Sequence, residues 1–144
     1  MATIRSYTTI EQSKVLSEIL PLESADMFYS ALENDSFPQP IRVHLTNEHW
    51  KQLYPNVMLP TWSLASLLSV LPNEIITDNR IECHYQIHIR KYDGGDNTTL
   101  HQIAYGNNRG SSGSWHDMIN TGEKESLIDC CVDMIINLHE LNLW

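Results

Sequence analysis

The spacing of apolar side chains changes character along this chain, and each change predicts an element. In "YTTIEQSKVLSEILP" the residues Ile10, Val15, Leu16, Ile19 and Leu20 recur at roughly helical spacing. Thr8 followed three residues later by Glu11 has the spacing of a capping box, and Pro21 ends the run. "PLESADMFYSALEND" predicts a second helix, with Pro21 or Leu22 in its first turn and Glu23 and Asp26 near its positive end. "NDSFPQP" reads as a linker, and "LTNEHWKQLYP" as a short third helix capped by Thr46, with Trp50, Leu53 and Tyr54 on one side. In "LPTWSLASLLSVLP" apolar residues cover most of a helical circumference from Thr61 to Leu71, leaving Ser63, Ser66 and Ser69 at a spacing of three. A helix apolar nearly all round belongs in a core.

After Pro72 the period drops to two. "IECHYQIHIRKY" places Ile81, Cys83, Tyr85, Ile87 and Ile89 on one face of a strand, and Glu82, His84, Gln86, His88 and Arg90 on the other. "DGGDN" is a turn, "TLHQIAYG" a returning strand, "NNRGSSGS" a loop, and "WHDMIN" a candidate third strand. A long helix is predicted from Glu123 to about Leu141, with a narrow polar stripe at Glu125, Asp129, Asp133, Asn137 and Glu140. The resulting fold class is α+β, as one domain over residues 1–144. A helical N-terminal part (1–56) precedes a helix–sheet–helix core (57–144), which holds the buried central helix, a short antiparallel sheet of two or three strands and the long C-terminal helix. Apolar residues cover more of that last helix than one sheet can hide, and Leu141, Leu143 and Trp144 prolong them, so a homo-oligomer is expected.

Charge narrows the function classes. Eighteen acidic against 9 basic residues give a formal charge of −9, which repels phosphate backbones, and Arg90–Lys91 is the only adjacent basic pair. Nucleic-acid binding is therefore not expected. The uncharged run from Leu53 to Asn73 is broken by Pro55, Pro60 and Pro72, so no membrane span is expected, and no secretory leader is visible at the N-terminus. Three cysteines, two of them adjacent, make no disulfide framework, and a reducing, cytoplasmic setting is expected.

The chemistry-bearing residues assemble no catalytic constellation. His84 and His88 share a strand face but stand about 13 Å apart, too far to hold one metal ion. Cys83 and His84 point to opposite faces, and Cys130 and Cys131 sit in an apolar helix where burial suppresses thiolate formation. No catalytic residue, metal or cofactor is expected. The stretch "YGNNRGSSGSWH" is the most site-like: glycines free backbone N–H groups, Asn108 and Ser111 offer hydrogen bonds, Arg109 a guanidinium fork, and Trp115 a stacking plane. A small anionic or nucleotide-like ligand would bind where His88 and Arg90 on the wet strand face meet Asn108, Arg109, Ser111, Trp115 and His116.

Four stretches, "TTIEQSK", "LESADM", "LPTWSLASLLSVLP" and "LIDCCVDMIINLHELNL", together resemble a group of small hypothetical proteins encoded by gut Bacteroides-type bacteria and their phages or prophages. The resemblance runs from about Thr8 to Leu143 and leaves out about Phe37 to Val57 and Asp93 to Ser114. It implies an origin, with no catalytic residue to carry over. By analogy it implies a non-enzymatic accessory protein in a bacterial host cell, counter-defence included, that holds a small ligand or a host protein. The alternative is a structural or self-assembling accessory protein.

Overall fold

The computed structural model describes residues 5–30, 40–42, 58–109 and 113–144. The fold is α+β, in two compact units, 1–70 and 71–144, each described by itself.

The first unit is built around the Pro-Thr-Trp-Ser segment. Helix α1 (Ile10–Ile19) opens with a capping box one residue later than the sequence suggests: the Thr9 hydroxyl accepts from Gln12 N–H, and the Gln12 side chain accepts from Thr9 N–H. Thr8 is released for another task. Its N–H donates to the Trp62 carbonyl at 3.0 Å, its hydroxyl accepts from Trp62 N–H at 3.2 Å, and Tyr29 Oη–H donates to its carbonyl at 2.8 Å. Ser13 shares a 2.7 Å hydroxyl contact with Thr8, and both are fully buried. Burying hydroxyls costs little when each is paired, and this belt leaves both with partners.

Over residues 21–30 the second predicted helix does not form. A 3₁₀ turn at Leu22–Ser24 leads into strand β1 (Met27–Ser30). Asp26 has a stronger use than a helix's first turn, because it accepts from both the backbone N–H and the hydroxyl of Ser63. Met27 and Tyr29 are buried with Phe28 half-buried between them, the alternation of a strand. β1 is the middle strand of an antiparallel sheet, between β2 (Ile41–Arg42) and β3 (Met58–Thr61). Pro60, which cannot donate to a ladder, is thus confined to an edge strand.

Helix α2 (Leu64–Val70) is shorter than predicted. Ser63 stands at its cap and accepts from Ser66 N–H at 3.2 Å, while Thr61 stays in β3. Nor is α2 buried all round: Leu67 is fully buried, but Ala65 and Ser69 are exposed. Trp62, between strand and helix, is the fully buried anchor, and its Nε1–H donates to Ser24 Oγ at 2.9 Å. The predicted helix with Trp50 and Tyr54 lies outside the described residues.

The second unit is a four-stranded antiparallel meander, β4 (Glu74–Ile76), β5 (His84–Asp93), β6 (Thr99–Asn107) and β7 (His116–Asn120), in that spatial order. β4 is a strand beyond the two or three expected, and residues 81–83 form a 3₁₀ turn before β5. Helix α3 (Leu127–Glu140) packs on β6. It starts at Ser126, whose side chain accepts from Asp129 N–H, because Lys124 is taken up by a two-way backbone bridge to His101. Ile128, Cys131, Val132, Ile135 and Leu138 are buried, and so are Cys130 and Met134. Leu141 and Trp144, near the end of the chain, are exposed. Among the described residues no helix is long and apolar enough to cross a membrane.

Candidate functional site

In the second unit one face of the sheet lies against α3 and carries Ile103 and Tyr105 of β6, both fully buried. Residues paired across strands share a face, so Ile87 and Ile89 belong to this side. The other face carries His88, Arg90 and Tyr92 of β5, with Ala104, Gln102 and Leu100 opposite them on β6.

Strand β7 joins that polar face through an irregularity. Ile119 pairs with Tyr105 in regular register, but the next pair is Gly106 with Asp117, with Met118 bulged between them. In unbroken register Met118 would face Gly106, and Asp117 would turn toward the helix side. The bulge brings Asp117 onto the polar face instead.

There Asp117 receives four donors. Arg90 grips it with both arms, Nη1 to Oδ2 at 2.8 Å and Nη2 to Oδ1 at 2.6 Å. Trp115 Nε1–H reaches Oδ1 at 2.6 Å, and Asn120 Nδ2 approaches Oδ2 at 3.5 Å. Four contacts saturate the lone pairs of a carboxylate. Arg90 also donates to Gln102 Oε1 at 3.0 Å, which accepts from Tyr92 Oη–H at 3.2 Å. The Trp115 indole lies flat against His88, ring centroids 3.5 Å apart and planes 10° from parallel. Gly106 makes room for it: a Cβ there would stand 2.9 Å from two indole carbons and collide with the His116 carbonyl.

The Arg90 guanidinium holds the Asp117 carboxyl well below the usual range, at about 2, with the indole N–H adding to the effect. Reciprocally, the hydrogen bond to Asp117 raises Arg90. Asp117 has a lowered pKa in the folded state, so its stabilisation is complete above the unfolded carboxylate value near 4. It is lost as pH falls from there through about 2. Asp117→Asn should cost on the order of 1–2 kcal/mol at pH 7, and urea unfolding should show the gap to wild type closing between pH 4 and 2. A gap constant down to pH 2 would show that the pair contributes shape alone.

Of the residues expected to converge, the structure brings together His88, Arg90 and Trp115. Asn108 and Arg109 are exposed just beyond β6, where Arg109 N–H donates to Asn107 Oδ1. His116 pairs with Asn107 and by alternation falls on the face opposite Trp115 and Asp117. Ser111 lies outside the described residues. Asp117, Gln102 and Gly106 were missed by the sequence reading, although a glycine inside a strand pattern is itself a sign of close approach.

The Asp117 carboxylate is saturated with donors, and the Arg90 guanidinium is engaged by it. Among the described residues no three His, Cys, Asp or Glu side chains are gathered so as to hold a metal ion. The arrangement presents instead a rigid, electrically balanced surface of indole, imidazole and phenol. Compared with protein-family models, with curated proteins and with solved structures, the chain matches none.

Proposed function

We propose that this chain is a non-catalytic binding module whose polar sheet face, centred on Trp115, takes a partner protein. One observation carries the reading: Asp117 locks Arg90 and Trp115 in place before any partner arrives. Pre-organised Trp, Tyr and Arg side chains are the usual energetic anchors of protein interfaces, since little side-chain freedom is then lost on contact. An anion at Arg90 would have to displace Asp117 and would meet a chain of charge −9.

A second reading has its own observation. Arg109 is exposed, and its guanidinium has no partner among the described residues, so a small anion could still be held beyond β6 with Asn108. The resemblance of the core motifs to phage and prophage accessory proteins supports a host protein as the partner. Three free thiols support a reducing compartment.

The test replaces Tyr92, itself 37% exposed, by a photo-cross-linking phenylalanine analogue in host extract. The expected result is one dominant cross-linked partner, lost on His88→Ala while Arg109→Ala leaves it intact. A thermal shift with nucleotides or inorganic phosphate that Arg109→Ala abolishes, with no cross-link, would overturn the protein-partner reading in favour of the anion.

A further inference from the structure

Strand β5 is longer than its neighbour on the β4 side. β4 pairs only with His84, Tyr85 and Gln86, and the last bond on that side runs from Ile87 N–H to the Asn73 carbonyl at 3.1 Å. The residue before Asn73 is Pro72, whose carbonyl accepts from Tyr105 Oη–H at 2.6 Å.

Peptide groups alternate in direction along a strand, so those of Ile89, Lys91 and Asp93 point the same way as that of Ile87. None of them has a backbone partner among the described residues. Beside this edge Ile89 is 49% exposed, and Lys91 is exposed with no ionic partner among the described residues. Both lie on the α3 side of the sheet, opposite in sense to Trp115.

We propose that this edge accepts an extended segment of a partner protein as a fifth, antiparallel strand, with an apolar residue opposite Ile89 and an acidic residue opposite Lys91. The inference rests on the partner-protein reading above and adds the kind of segment recognised. Strand addition supplies affinity through main-chain bonds and specificity through alternate side chains. Here the charge complement is set by Lys91: of the chain's one adjacent basic pair, Arg90 is neutralised by Asp117 and Lys91 is not. A second copy of this chain fits less well. Self-pairing that engages both Ile89 and Lys91 must centre on Arg90 or Lys91: the second sets two ammonium groups opposite each other, and the first sets each Lys91 opposite an Ile89 with no acidic complement.

The probe is a capped hexapeptide of threonines carrying one glutamate and, two positions later, one valine, compared with its lysine-for-glutamate twin. The glutamate probe should slow amide hydrogen exchange at Ile89 and Lys91 and bind at least about fivefold tighter than its twin. Lys91→Glu should invert that preference. Unchanged exchange at both amides with millimolar probe, or an order of preference that Lys91→Glu leaves as it was, overturns the proposal. Exchange that slows with protein concentration alone, without probe, overturns it in favour of a second copy. The two readings separate cleanly: a partner lost on His88→Ala but retained on Lys91→Glu leaves the polar face standing and removes the edge.

Discussion

Trp62→Ala should lower the melting temperature of the first unit by more than about 12 °C. The indole is fully buried, and Trp→Ala truncations in cores cost about 3–5 kcal/mol in lost transfer and cavity terms. The substitution also leaves Ser24 Oγ without its donor. For a unit of this size each kcal/mol moves the midpoint by roughly 4–8 °C, and the loss is a large fraction of a typical domain's 5–15 kcal/mol. Thermal circular dichroism checks the size of the effect. Amide exchange checks its place, with protection falling at Thr8, whose N–H donates to the Trp62 carbonyl, and at Trp62, whose N–H donates to the Thr8 hydroxyl. Trp62→Phe keeps most of the volume and should fall between wild type and alanine. A midpoint within a degree or two of wild type for Trp62→Ala would remove Trp62 from its place as anchor.

Gly106→Ala should disrupt the polar face and the β6–β7 pairing together. The added methyl meets the indole ring and the His116 carbonyl at once, and the carbonyl is main chain, so neither obstacle can swing aside freely. Overpacking of this kind costs roughly 1–3 kcal/mol, and the midpoint of the second unit should drop by about 5–20 °C. The more telling signal is local. The Trp115 indole N–H resonance should move from a carboxylate-bonded position toward that of a free indole, because the ring must leave its seat and with it Asp117 Oδ1. Should the resonance and the melting curve both stay put, strand and ring separate easily and the seat is not rigid.

How much of this was legible in the sequence depended on the length of each periodic run. The long alternation from His84 to Arg90 gave the correct faces of β5, and the apolar run of α3 was long enough to fix its type. "MFYS" is four residues, too short for period two to stand out from the helix-like spacing around it, and the pairing of Asp26 with Ser63 lies 37 residues away in the chain. Thr8 and Thr9 are equally good caps by type, and only the bonds of Thr8 to Trp62 decide between them. His88, Arg90 and Trp115 were visible as chemistry. Asp117 was not, because its face depends on a one-residue bulge at Tyr105/Gly106 that hydropathy cannot encode. His116 was misplaced for the same reason.

The adjacent thiols of α3 have a kinetic consequence. Cys130 and Cys131 are fully buried; burial pushes the Cys131 thiol up to about 12 and raises Cys130 as well, whereas Cys83 is only half-buried. An alkylating reagent at neutral pH therefore meets one accessible sulfur at once and two that become nucleophilic only when the helix lifts from the sheet. The chain carries its own stopwatch: the delay between the first and the later adducts measures how often its second unit opens.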